Sequence, residues 1–156
     1  MSKSLKRVKA AAVDLRLPLQ VVETGADTHT AAQAANEVGS HLDQIAKSIV
    51  FLGKTSNRAL LFLTAGGNRG SAERAAHMAE EPLAKADAAL IRAQTGFAIG
   101  GVSPIGHLSP IRAFMDPRLL DFDLIWAAAG TPRHLFAIAP SDLLRVTNAK
   151  TGLFTE

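Results

Sequence analysis

The 156-residue chain contains no cysteine. That absence removes disulfides, thiolate zinc sites and a cysteine nucleophile from consideration, and it suits a reducing compartment. Aromatic residues make up only 5% of the chain, so the interleaved stacking platforms that hold single-stranded nucleic acid are missing. No apolar run approaches the roughly 20 residues of a membrane span. Met1 to Lys9 carries Lys3, Lys6, Arg7 and Lys9, but Asp14 soon interrupts the apolar stretch that follows. The segment is too short and too mixed for a secretory signal. A cytoplasmic location with no membrane association is expected.

Charge is similarly modest. The formal balance is +3, with a sequence pI of about 9.6, which permits contact with a polyanion without the dense basic stripe of a general DNA binder. The N-terminal cations read either as phosphate contacts or as a solvated helix face. The five histidines, His29, His41, His77, His107 and His134, show no metal-ligand spacing, and no metal or other cofactor is expected. What remains is an ordinary globular composition, 47% hydrophobic and 20% charged, long enough for one domain spanning residues 1–156.

Periodicity and turn chemistry predict a helix over Ser4–Leu17 stopped by Pro18, then a short strand over Leu19–Glu23. Thr30 and Gln33 form the pattern of a capping box for a helix ending near Gly39. A helical turn over Leu42–Ala46 leads to a strand over Ser48–Leu52, and the Asn57–Arg58 turn joins it to a second strand over Ala59–Thr64. Helices are predicted over Ser71–Ala79 and Leu83–Gln94, and short strands over Phe97–Ile99, Ile111–Met115, Leu124–Ala128 and His134–Ile138. A closing helix over Ser141–Val146 is capped by Ser141. The elements alternate without a regular βαβ beat, which predicts an α+β domain with a mixed sheet curled toward a barrel and flanked by helices.

Two stretches carry the candidate chemistry. Gly100-Gly101-Val102-Ser103-Pro104-Ile105-Gly106-His107 is a glycine-rich turn fixed by a proline, able to bring bare backbone donors close to a ligand. Ser103 has no evident neighbouring base and is a hydrogen-bond donor rather than a nucleophile. Gln44-Ile45-Ala46-Lys47-Ser48-Ile49-Val50-Phe51 places one lysine at the mouth of an apolar run. Lys47 either snorkels to solvent or points into a pocket, where it can anchor a phosphate or polarise a carbonyl. The Gly66-Gly67-Asn68-Arg69-Gly70-Ser71 stretch fits neither the dinucleotide fingerprint nor the P-loop and reads as a turn. Asp116, before Pro117, reads as a turn cap that can also orient a cation.

These two stretches, with Thr30-Ala31-Ala32, Ala93-Gln94-Thr95-Gly96, Asp116 and Ala137-Ile138-Ala139-Pro140-Ser141-Asp142-Leu143 in the same order, resemble the YbaK/ProX family of aminoacyl-tRNA deacylases. That family is related to the editing insertion of bacterial prolyl-tRNA synthetases. The resemblance runs from about Thr30 to Leu143 and implies a barrel-like mixed sheet. It also implies hydrolysis of the ester joining a wrong amino acid to tRNA. It gives the essential lysine as Lys47 and the catalytic loop as Gly100, Gly101, Ser103 and Pro104. Substrate contacts are implied at Thr30, Ser48, Val102, His107, Asp116 and Gly130. His134 corresponds to a late histidine that gauges the amino-acid side chain in alanine-specific relatives. An asparagine follows the lysine in some of those relatives; here the residue is Ser48.

The implied substrate is the acceptor end of proline tRNA carrying a small wrong amino acid such as alanine or cysteine. The implied setting is a free-standing editor, with prolyl-tRNA synthetase as a candidate partner. Two other readings stand beside it: a non-catalytic tRNA or nucleic-acid binding module, and an enzyme acting on a free small ester or phosphate metabolite.

Overall fold

The strand over Ala59–Ala65 is buried along its whole length, as an almost unbroken run of alanine, leucine and phenylalanine requires. The computed structural model describes residues 2–156, and this strand lies at the centre of its larger sheet. In chain order the elements are α1 (Lys3–Asp14), β1 (Gln20–Glu23), α2 (Ala31–Val38), β2 (Ala46–Gly53), β3 (Ala59–Ala65) and α3 (Ala72–Ala79). Then follow β4 (Leu83–Lys85), α4 (Ala88–Thr95), β5 (Arg112–Met115), β6 (Ile125–Thr131), β7 (His134–Ile138), α5 (Pro140–Thr147) and β8 (Lys150–Thr151). Single 3-10 turns occupy Leu42–Gln44 and Pro117–Asp121.

Five strands form a mixed sheet in the order β4-β2-β3-β5-β8, and three form an antiparallel sheet in the order β1-β7-β6. Strand β3 is antiparallel to β2 and parallel to β5. The sheets meet at one parallel bridge, Ile45 to Trp126, so the expected curl takes the form of two sheets hinged at that point.

Strand alternation sends Leu61, Leu63 and Ala65 into a core shared with Leu5 and Val8 of α1 and Ile125, Ala127 and Phe136 of the smaller sheet. Leu60 and Phe62 enter a second cluster with Phe114, Phe154, Ala75 and Ala79. The Phe62 ring stacks on Phe114 at 4.5 Å and meets Phe51 and Phe154 edge-on at 5.6 and 5.0 Å.

Local signals account for most boundaries. Thr30 and Gln33 form the capping box of α2, and Gly39 ends it. The Asn57–Arg58 turn joins β2 to β3 as an antiparallel pair. Helix α1 ends at Asp14 rather than Leu17, with Arg16 in the left-handed region.

Three expectations fail. The stretch from Leu83 to Gln94 is not one helix: Leu83–Lys85 pairs with β2, and Asp87 starts α4 by accepting from the Leu90 N–H at 2.7 Å. An aspartate placed as an N-cap outweighs the helical composition on its N-terminal side. Phe97–Ile99 is not a strand, because Gly101 N–H closes a turn onto the Ala98 carbonyl at 3.0 Å. Helix α5 begins at Pro140, without a side-chain cap from Ser141; proline is preorganised for the first helical position.

Replacing Phe62 by alanine should destabilise the fold by about 3–5 kcal/mol, measured as a lowered urea midpoint. A change within ~0.5 kcal/mol, the range of ordinary surface substitutions, would contradict the central place given to this ring.

Candidate active site

Strand β2 has β3 on one side throughout, but its other edge is only partly covered. The bridge to β6 is at Ile45, and pairing with β4 begins at Phe51. In the ladder, Gly53 N–H donates to the Arg58 carbonyl and Lys54 N–H to the Pro82 carbonyl, both at 2.9 Å. Odd-numbered residues therefore bond toward β3 and even-numbered ones toward β4. Followed back along the strand, the same alternation points the N–H and C=O groups of Ser48 and the N–H of Val50 at the uncovered edge.

A cleft of about 710 Å³ opens along that edge, a size typical of small-ligand sites. Its walls include Lys47, Ser48 and Val50 of β2, Thr30 and Ala31 at the start of α2, Gly66, and Gly100 and Val102 of the glycine turn. The lysine and the glycine-rich bend thus border one cavity.

Half-buried Lys47 donates from Nζ to the Asn68 carbonyl at 2.6 Å. That carbonyl is held in turn, because Asp116 Oδ2 accepts from Asn68 Nδ2 at 2.9 Å and from the Ala65 N–H at 3.1 Å. Asp116 is 3% exposed, and its Oδ1 accepts from the Arg118 N–H at 3.0 Å. It caps the 3-10 turn as expected and orients the lysine through Asn68 rather than touching the cleft. Burial pushes the Lys47 ammonium below the ordinary lysine range; Asp116 and Asp43 pull it back up, and Arg69 pushes it further down. Composition gave no sign that the Gly66–Arg69 turn supplies this support.

The glycine segment divides into a front and a back. Gly100 has φ +91° and takes the third position of the Ala98–Gly101 turn, where a type II geometry demands a positive φ. Gly101 does not line the cleft. Its N–H is used by the turn, and a Cβ there would lie 3.0 Å from Thr131 Cα and 3.1 Å from the Gly130 carbonyl oxygen. Gly130 is likewise a packing residue, since a Cβ would come within 2.8 Å of the Ser4 carbonyl oxygen.

Behind the turn, Ser103 is fully buried, with Oγ accepting from the Ile105 N–H at 3.3 Å. Pro104 and His107 face a separate depression of about 340 Å³. His107 Nε2 lies 2.7 Å from the Ser103 carbonyl; a carbonyl only accepts, so Nε2 carries the proton. Arg7, placed by charge among the candidate phosphate contacts, instead donates to the carbonyls of Gly96 at 2.6 Å and Gly106 at 2.9 Å and covers the Phe97 ring. Lys3, Lys6 and Lys9 remain exposed.

Thr30 borders the cleft, but its hydroxyl oxygen accepts from the Gln33 N–H at 3.1 Å as the α2 cap. His134 does not border it. Alternation along β7 turns Leu135 into the cleft, while His134 Nδ1 meets Thr131 Oγ1 at 2.6 Å. Ile99 and Leu135 line the cleft without having been singled out, and His29 and Ile45 line it although neither was given a role; no local sequence signal marked any of the four. Among the described residues, no set of three His, Asp or Glu side chains gathers as a metal site. No helix of the described residues is long and apolar enough to cross a membrane.

Residues 25–146 match the aminoacyl-tRNA editing domain family, and the chain belongs to that family. It is 43% identical to a proposed trans-editing enzyme for prolyl-tRNA synthetase whose crystal structure superposes with a TM-score of 0.93, over 100% of this chain and 99% of that one. The hypothetical protein APE2540 shares the fold at a TM-score of 0.88 and 23% identity, covering 96% and 99% of the two chains. The uncharacterized protein YwhH of Bacillus subtilis is 26% identical over 150 residues, 96% of this chain and 95% of that one.

Burial pushes the His107 imidazole below the ordinary histidine range; the Ser103 carbonyl pulls it up and Arg7 pushes it down again. The unfolded chain then takes up this proton first. Stability should fall as pH drops below the unfolded value of 6.5, and His107→Gln should flatten that slope in urea melts. An acid slope unchanged by the substitution would contradict this assignment.

Proposed function

We propose that the protein is a free-standing aminoacyl-tRNA deacylase that clears a small wrong amino acid from proline tRNA. The observation that carries this reading is the shared cleft: Lys47, the free edge of β2 and Gly100 border one cavity large enough for an aminoacylated terminal nucleotide. Membership of the editing family supports the reaction, and likeness to a proposed prolyl trans-editing enzyme supports the tRNA.

The division of labour follows from the chemistry of each group. The Lys47 ammonium anchors a phosphate of the terminal nucleotide, reinforced by the positive end of α2, whose first turn opens on the cleft. In this reading, backbone N–H groups at Ser48 and Val50 hold the aminoacyl carbonyl and stabilise its developing oxyanion. Water attacks that carbonyl, a C–O bond forms, and the ester C–O bond breaks. The proton lost by water passes to the ribose oxygen that leaves, with the neighbouring ribose hydroxyl orienting the water. An ester is activated enough for such positioning to suffice without a catalytic triad.

A synthetase distinguishes amino acids one methylene apart by only about 1–3 kcal/mol, so a second, size-limited site has a clear use. Such a site works where tRNA is charged, in the cytoplasm, after the synthetase releases its product. Exposed Lys3, Lys6 and Lys9 on α1 offer added attraction for the acceptor stem.

The test is a panel of proline tRNAs charged with alanine, cysteine, serine, threonine and proline. At least one small wrong amino acid should be released faster than proline. Lys47→Ala should lower that rate by about 10²–10³-fold while leaving the circular dichroism spectrum unchanged. Binding with no release would make the chain a binding module, and release from free esters alone would make it a metabolite esterase. Because Lys47 acts as a cation and burial lowers its pKa, kcat/KM should fall on the alkaline side at a pH below the ordinary lysine range, after subtraction of uncatalysed hydrolysis. An alkaline limb that persists in Lys47→Arg would assign it to another group.

A further inference from the structure

We propose that helix α1, which precedes the segment matched to the editing family, is a working part of the site, and that Arg7 is the residue through which it acts. Arg7 sets the position of the loop that forms one wall of the cleft. This role rests on the deacylase reading above and adds a positioning residue to it.

The loop runs from Gly96 to Gly106 and closes at its base, where Leu108 N–H donates to the Thr95 carbonyl at 3.2 Å and Ser109 N–H to that of Gln94 at 3.1 Å. Its tip carries Ile99, Gly100 and Val102 to the cleft. The bonds inside it are local: Gly101 N–H to the Ala98 carbonyl, Ile105 N–H to Ser103 Oγ, and His107 Nε2 to the Ser103 carbonyl. They fix the loop's own shape and leave its placement to other contacts. Buried Phe97, Val102 and Ile105 seat its back on the core. Among the described residues, the loop's hydrogen bonds to a distant element both come from Arg7: Nη2 to the Gly96 carbonyl at 2.6 Å and Nε to that of Gly106 at 2.9 Å. A guanidinium spans two such acceptors because its donors lie in one rigid plane.

Both ends of the loop are cut to receive this side chain and its helix. A Cβ on Gly96 would lie 2.5 Å from Arg7 Nη2 and 2.9 Å from its Cζ, and one on Gly106 would lie 3.3 Å from the Arg7 carbonyl oxygen and 3.4 Å from Val8 Cα. The same helix meets Gly130 at the Ser4 carbonyl, and Gly130 and Thr131 in turn crowd Gly101. Helix, strand end and loop therefore touch backbone to backbone, and a shift of α1 carries through to the residue beside Gly100. Apolar burial of Leu5, Val8 and Ala12 suffices to hold α1 on the core; the fork of Arg7 adds a fixed direction. The phosphate anchor at Lys47 stands apart from this clamp, so a displaced loop costs orientation of the aminoacyl group rather than binding of the nucleotide. Misplacement by about 1 Å from a change far from the chemistry can cost about 10²-fold in rate.

The test compares Arg7→Ala and Arg7→Lys with the wild type, on whichever of the alanyl, cysteinyl, seryl and threonyl esters of proline tRNA the wild type releases fastest. Assays run at a temperature where circular dichroism shows each variant fully folded. In both, kcat should fall by about 10–10²-fold while KM moves by less than about threefold; lysine keeps the charge but not the fork. Amide hydrogen exchange gives a readout independent of activity. In Arg7→Lys the Gly101 amide should speed up by about tenfold more than those of Leu61 and Leu63 in β3. A wild-type kcat in either variant overturns the proposal, and so does a loss carried by KM alone. Exchange at Gly101 that rises no more than in β3 also overturns it, because Arg7 would then serve only the stability of the whole fold. If Arg7→Ala does not fold, Arg7→Lys decides alone. Failure of the wild type to release any amino acid would remove the deacylase reading instead, and the exchange measurement would still decide whether Arg7 holds the loop.

Discussion

Between Ile45 and Val50, β2 is hydrogen-bonded to β3 on one side and, among the described residues, to no strand on the other. Everything proposed for this protein depends on that gap. Strand edges in folded proteins are normally paired, covered or blunted, because they offer a row of unused donors and acceptors. Here the uncovered stretch is walled by α2, the glycine turn and β7, so its backbone groups face a walled, half-open cleft. The fold thereby supplies oriented donors without any side chain being dedicated to the purpose.

Rigidity around the gap comes from groups at some distance from it. Asp116 holds Asn68, and the Asn68 carbonyl holds Lys47. On the other wall, Arg7 ties α1 to both ends of the loop between Gly96 and Gly106, and His107 ties the inside of that loop to Ser103. The two bordering elements are thus anchored separately, one to the large sheet and one to the N-terminal helix. Preorganised donors of this kind need little rearrangement when charge develops in a transition state.

Much of this architecture was legible in the chain. The Thr30 and Gln33 capping box, the Asn57 turn and the apolar run of β3 each announced their element because the signal is local. Leu83–Lys85 did not, because its strand character comes from pairing with β2 rather than from its own alanine-rich composition. The site was legible in part for a similar reason. Lys47 and the glycine turn stood out by residue type and spacing, and they border one cavity. Gly101, Ser103, Pro104 and His107 looked equivalent to Gly100 and Val102 in sequence, yet the chain folds their side of the loop toward α1 and the core. His134 and Leu135 differ by one residue and so by one face of a strand. Asn68 contributes a backbone carbonyl, which no composition or motif can flag.

The most direct measurement is a backbone amide NMR titration with an amide-linked, non-hydrolysable aminoacyl adenosine. The account predicts shifts concentrated at Ser48, Val50, Gly66 and Gly100, weakened by Lys47→Ala. Shifts confined to the depression around Pro104 and His107, or saturable binding that leaves the β2 edge undisturbed, would contradict it.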